Sequence, residues 1–239
     1  MPLSEPRQPT RFALDCARCP VANQAACAVL SQAEKEGLAR LGSGKIVQRG
    51  AVIFAAGSAE TACATLLSGM LKVVRHDRDG TEAIVALIHP AGFTGELFSP
   101  FQEYDVVALT ASRLCVFIRS DFKAAVARHP ALANALLQRA SDDLSEARRL
   151  IALTGHKKAA ARLAGLILDF ANAASKSPCH PADTIDIPLP RADMANMLGL
   201  TIETVSRQMT RLFASGVITR TGPRSLHIND LERLKVIAD

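Results

Sequence analysis

The segment PRADMANMLGLTIETVSRQMTRLF, residues 190–213, constrains this chain more than any other stretch. Met194, Met197 and Leu198 recur at helical spacing and form the apolar face of a short helix. That helix stops at Gly199, the residue type that most readily takes the left-handed conformation closing a helix. Thr201 follows at once as an N-cap for a second helix. Two helices joined by so tight a turn make a helix-turn-helix. In the second helix Ile202, Val205, Met209 and Leu212 fall on one face, and Glu203, Ser206, Arg207, Thr210 and Arg211 on the other.

That polar face suits the major groove of a DNA duplex. Arginine forms a bidentate pair with guanine, glutamate accepts from cytosine N4, and a serine hydroxyl bonds to a base or a phosphate. A solvated helix face would have the same residues, so the surroundings matter. Between Glu203 and Asp230 lie Arg207, Arg211, Arg220 and Arg224 and no acidic residue. The run from Gly216 to Ile228 reads as strand, Gly-Pro turn and strand, a wing that sets Arg220 and Arg224 against phosphates. The net charge of +5 agrees with a polyanionic partner.

Upstream the texture changes. From about residue 45 to 120, short apolar runs (Ala51–Phe54, Leu71–Val74, Ala83–Ile88, Val106–Leu109 and Cys115–Ile118) are separated by glycines, which predicts a small all-β barrel or sandwich. Asp79-Gly80 marks a hairpin. Ser120 is the expected N-cap of a short helix ending near His129-Pro130. Residues 131–153 then read as one long helix in which Leu137, Leu144 and Ile151 repeat every seventh position, with Ala140 and Ala147 between them. A seam this narrow fits a two-helix contact between two copies of the chain; packing on the β domain is the alternative. Gly155 and His156–Lys158 suggest a hinge, 159–173 a further helix built on Leu163, Leu166, Ile167 and Phe170, and 175–181 a loop.

Residues 1–15, with three prolines and little periodicity, read as a tail. They lack the apolar core of a secretory signal, and no apolar run reaches the ~18 residues of a membrane span. A cytoplasmic, reducing location is therefore expected, with free thiols rather than disulfides. Six cysteines occur, and Cys16-x2-Cys19-x7-Cys27 crowds three of them at the N-terminus. Clustering of this kind points to metal or redox chemistry. Structural zinc sites usually show two Cys-x2-Cys knuckles, whereas here there is one pair with singles. Pro20 after Cys19 breaks the Cys-x-x-Cys-His signature of covalent haem. Cys63 sits in an apolar run as a small core residue, and Cys179 lies in a loop beside His180. Walker, G-x-G-x-x-G, HExxH and G-x-S-x-G signatures are missing from the sequence, so no enzyme class is indicated.

With these residues in view, the chain resembles the CRP/FNR superfamily. Leu200–Arg207 looks like its recognition helix with the motif E-x-x-S-R, and Gly57, Gly69, Gly92 and Gly95-Glu96-Leu97 resemble the glycines of its β-roll. The resemblance implies an α+β protein: a cysteine-rich segment (1–30), a β-roll sensory domain of the cyclic-nucleotide-binding, jelly-roll type (31–130), a dimerisation helix (131–156) and a winged helix-turn-helix (157–239). It implies a homodimer on palindromic double-stranded DNA, with RNA polymerase as a further partner. Glu203, Ser206 and Arg207 would read TTGAT-like half-sites, with Thr201, Arg211, Arg220 and Arg224 completing the contact.

The cyclic-nucleotide branch places an Arg-Ser pair after Gly-Glu-Leu. Here Phe98 to Asp105 holds no such dipeptide and brings Glu103 and Asp105 instead, so no cyclic nucleotide is expected. The FNR-like branch holds a [4Fe–4S] cluster with three N-terminal cysteines and one in the β-roll, a pattern that Cys16, Cys19, Cys27 and Cys115 match. Oxygen or redox sensing follows from that resemblance. A regulator of the same superfamily with another effector, or a zinc or iron–sulfur protein without a regulatory role, is the alternative.

Overall fold

The computed structural model describes residues 10–59, 61–77, 80–175 and 180–239. It divides into two compact units, Met1–Ser145 and Glu146–Asp239.

The first unit is built on two antiparallel sheets. One has strand order β1-β2-β9-β4-β7, from Thr10–Phe12 (β1), Gly42–Val47 (β2), Ala62–Ser68 (β4), Phe93–Thr94 (β7) and Ser112–Ile118 (β9). The other has order β3-β8-β5-β6, from Val52–Phe54 (β3), Leu71–His76 (β5), Glu82–Ile88 (β6) and Asp105–Ala108 (β8). Alternate residues of both sheets face one core, where Phe54, Leu66, Leu71 and Leu114 are fully buried. Each such side chain contributes roughly 1.5–3 kcal/mol. The β5–β6 hairpin forms where it was expected, with Gly80 at φ +82° and its N–H donating to Asp77 O; Asp79 lies outside the described residues. Gly95 is at φ +97°, and a Cβ there would come within 2.8 Å of Cys63 Cα. Only glycine fits that crossing.

Three expectations need correction. The tail reading fails for its described part: Thr10–Phe12 pairs with Ile46–Gly44 of β2, and Asp15 caps the 3₁₀ turn Cys16–Arg18. The strand was hidden because its partner, not its own periodicity, orders it. The helix Arg119–Arg128 (α2) begins at Ile118 with no side-chain cap, so Ser120 lies inside its first turn. The long helix α3 runs Pro130–His156, so Gly155 is helical, while the break at Lys157–Lys158 falls within the expected hinge His156–Lys158. A glycine inside a helix costs about 1 kcal/mol, too little to end one held by its neighbours.

An N-terminal helix, Gln32–Arg40 (α1), opens with a capping box between Ser31 and Glu34. Glu34 also pairs with His129 Nδ1 at 3.2 Å.

In the second unit, helices Ala159–Ala174 (α4), Arg191–Leu198 (α5), Ile202–Ala214 (α6) and Leu231–Ala238 (α7) accompany a three-stranded sheet of order β10-β12-β11, from Thr184–Asp186 (β10), Ile218–Arg220 (β11) and Ser225–Ile228 (β12). Its core holds Leu163, Leu166, Ile167, Leu198, Val205, Ile218 and Leu234, none more than 1% exposed. Cys179 lies outside the described residues.

Candidate nucleic-acid interface and cysteine pocket

Gly199 ends α5 in the left-handed conformation at φ +60°, its N–H donating to Ala195 O and Asn196 O. Thr201 then caps α6, its hydroxyl accepting from Thr204 N–H at 3.2 Å. The turn is therefore specified by two residues whose backbone preferences agree. On α6, Val205, Met209 and Leu212 are buried, while Glu203, Ser206, Arg207, Thr210 and Arg211 are exposed. Ile202 departs from the expected packed face and is 48% exposed, because it is the first residue of the helix and precedes the buried stripe.

The Glu203 carboxyl is held below its usual range by its own backbone N–H and by the Thr201 hydroxyl, so it stays an acceptor. Arg207 makes a 3.3 Å contact with Thr204 Oγ1 and is otherwise directed outward. Arg220 and Arg224 are exposed on the β11–β12 wing, and the Arg220 guanidinium lies 5.7 Å from the Phe213 ring centre. Sequence reasoning missed Arg191, which opens α5 and donates to Met194 Sδ. Burial, then the nearby Arg220, lowers its pKa. It lies outside the acid-free run that drew attention to the other arginines.

In the first unit, β9 places Cys115 opposite Thr65 of β4, on the sheet face away from the barrel core. Three further cysteines come from the leading segment. Cys16 sits in the 3₁₀ turn after Asp15 and donates its thiol to Lys35 O at 3.5 Å; Cys27 sits in a second turn, Ala26–Val29. Cys16, Cys19, Cys27 and Cys115 line one pocket of about 470 Å³. None of them forms a disulfide. Among the described residues, no three His, Cys, Asp or Glu side chains form a group that could hold one metal ion. The sulfurs are arranged around a volume.

Burial pushes the Cys16, Cys27 and Cys115 thiols up, and the neighbouring sulfurs push further in the same direction. The four groups therefore share one electrostatic field. A cationic centre held by these thiols would reverse that cost, because metal coordination deprotonates a thiol. Four thiols around a common pocket, none of them in a disulfide, are the donor type that an iron–sulfur cluster takes. Lys35, Arg18 and Arg113 line the same pocket, and Arg113 stacks 4.4 Å from the Phe12 ring. Phe12 and Arg113 had no signal in the sequence, since only the β1–β2–β9 pairing brings them together. Cys63, fully buried, is pushed up to about 12 by burial, as befits a core thiol.

On the long helix, Leu137, Leu144 and Ile151 are 70%, 51% and 69% exposed. Ala140 is exposed between them and Ala147 half-buried.

A β-roll, a long helix and a winged helix-turn-helix define a DNA-binding transcription regulator. Residues 44–129 match the cyclic nucleotide-binding domain and residues 161–237 the Crp-like helix-turn-helix domain. The chain is 31% identical over 222 residues to the transcriptional activator protein FnrL of Cereibacter sphaeroides, spanning 92% of this chain and 90% of that one. It is 30% identical over 205 residues to the nitrogen fixation regulation protein FixK of Bradyrhizobium diazoefficiens, with 85% of each covered. The structure of FixK2 from Bradyrhizobium japonicum shares the fold, with a TM-score of 0.75 at 22% identity over 83% of this chain and 98% of that one. The chain belongs to the CRP/FNR family of transcription regulators. No helix among the described residues is long and apolar enough to cross a membrane.

Proposed function

We propose that this regulator is a homodimer that responds to oxygen through a [4Fe–4S] cluster on Cys16, Cys19, Cys27 and Cys115, and binds palindromes of TTGAT-like half-sites. The observation that carries this reading is the gathering of four thiols, three from the leading segment and one from β9, around one pocket. When bound, the cluster supplies an oxygen-labile centre that needs thiolate ligands. Lys35 and Arg113 offset the thiolate charge, while Arg18 on the same wall is already paired with Asp15 at 2.6 Å.

The four cysteines tie the leading segment to the β-roll. Phe122 of α2 and Leu132 in the first turn of α3 form part of the same pocket wall. Releasing the segment removes Ala26, Cys27 and Leu30 from the cluster that buries Leu132 and so loosens the start of the helix that carries the seam. Leu137, Ala140, Leu144, Ala147 and Ile151 form the dimer contact, since exposed leucine and isoleucine at heptad spacing seek a second helix. Ligand binding and assembly then support each other by linkage.

In the dimer, each α6 enters a major groove. Arg207 pairs with guanine, Glu203 accepts from cytosine, Ser206 adds a hydroxyl, and Thr201, Arg211, Arg220 and Arg224 hold phosphates. The relative named as a transcriptional activator supports activation, with RNA polymerase as partner. A cyclic nucleotide is not part of this reading. The stretch Phe98–Asp105 after Gly95-Glu96-Leu97 holds no Arg-Ser pair to receive its phosphate.

The test is anaerobic purification with an absorbance spectrum, then air exposure with size and DNA affinity measured before and after. Cluster absorbance, a dimer and tight operator binding, all lost in air, are expected. Colourless anaerobic protein with air-insensitive DNA binding overturns the sensing claim.

A further inference from the structure

The carbonyls that end α5 have no partner within their own helix. At the turn of the helix-turn-helix this need is met from α4. Arg162 Nη1 donates to Leu198 O at 2.9 Å and lies 3.5 Å from Gly199 O. The same guanidinium uses Nε to donate to Lys157 O at 2.8 Å. Lys157 is the first residue after α3, where the chain turns into α4. Its own ammonium donates to Ala238 O, at the end of α7, at 2.6 Å. One planar fork thus spans the connector after α3 and the turn that aims the recognition helix, and a second clamp holds the connector to the last helix. The cation also lies at the negative end of the α5 dipole.

We infer that Arg162 is a positioning residue for DNA recognition: it transmits the pose of the Lys157 connector to the Leu198–Thr201 turn and so sets the angle at which α6 meets the groove. A planar guanidinium is required, because an ammonium is a point donor that cannot hold two carbonyl groups in fixed relation. A Cβ at position 199 would sit 3.5 Å from Arg162 Nη1, an ordinary contact, so glycine is favoured there by its φ of +60° and not by the guanidinium. The inference rests on the DNA-binding reading of α6 but adds to it a residue with no base or phosphate contact of its own.

The experiment uses the full-length anaerobic protein as wild type, Arg162→Lys and Arg162→Ala. Each is titrated with a duplex carrying two TTGAT half-sites and with a scrambled duplex, over a range of salt. Folding is checked by circular dichroism. Both variants are expected to bind the scrambled duplex as wild type does, with the same salt slope, and to lose about tenfold or more on the operator, the scale of one charge-assisted hydrogen bond. If Arg162→Ala does not fold, Arg162→Lys, which keeps the charge, decides alone. Operator affinity within about twofold of wild type in a folded variant overturns the inference. So does an equal loss on both duplexes with a shallower salt slope, which would make Arg162 a phosphate contact. Failure of wild type itself to prefer the operator would instead strike the TTGAT reading.

Discussion

Cys27 and Cys115, one from a 3₁₀ turn near the N-terminus and one from β9, the last strand of the β-roll, pack against the same buried cluster of Val21, Ala25, Leu67 and Ala91. Their proximity is therefore a product of apolar packing that exists before any ligand is considered. Preorganisation of this kind lowers the ordering cost of assembling a four-thiol site.

Cys19→Ser and Cys115→Ser should each abolish the absorbance of anaerobically isolated protein, because a hydroxyl does not replace a thiolate toward iron. Cys63→Ser should keep full cluster content while costing about 1–3 kcal/mol, since it buries a hydroxyl among apolar neighbours. Iron and sulfide analysis beside denaturant melts separates the two effects. Full iron in Cys115→Ser would remove Cys115 from the ligand set.

Arg207→Ala should cost about 1–3 kcal/mol on the palindrome and relax preference at one base position. The side chain is exposed and its contact with Thr204 is long, so fold stability should be unchanged. Fluorescence anisotropy with matched and mismatched duplexes reads this directly; equal affinity in variant and wild type would refute base reading by this residue.

Leu144→Glu should convert the dimer to monomer without unfolding it. Leu144 is half-exposed in the single chain, so the charge meets water there and an apolar partner only in the dimer. Sedimentation velocity at micromolar concentration gives the answer, and an intact dimer would place the interface elsewhere.

Asp169 of α4 is pushed up to about 6 from 3.8, first by burial, then by Glu146, with Arg149 acting in the opposite sense. Above its native pKa the folded state must hold a poorly solvated carboxylate. Between the two values the folded state binds more protons than the unfolded chain, so this group's contribution to stability falls as pH rises from about 4 to about 6. Asp169→Asn should therefore match wild type near pH 4 and exceed it above pH 6, by an amount on the order of 1 kcal/mol or a few degrees of Tm. Melting curves across that range check the sign, and a gain confined to acid pH would contradict the assignment of burial as the cause.

The sequence by itself determined the local elements whose signals are written in neighbouring residues. Gly199 followed by Thr201 specified the turn, the 3.6-residue spacing of Val205, Met209 and Leu212 specified which face of α6 is buried, and the glycine-broken apolar runs marked most strands of the β-roll. What only the tertiary structure decided depends on partners distant along the chain. Thr10–Phe12 is a strand because β2 offers it an edge, Ile202 is half-exposed because it opens α6 ahead of the buried stripe, and Arg162 matters because its fork finds carbonyls in another helix. Even the cysteines conform to this division: their number and crowding could be read directly, but their encirclement of one pocket with Phe12, Lys35 and Arg113 required the sheet register. Backbone preference and side-chain periodicity act within a few residues, whereas register and packing are settled by contacts that no local pattern encodes.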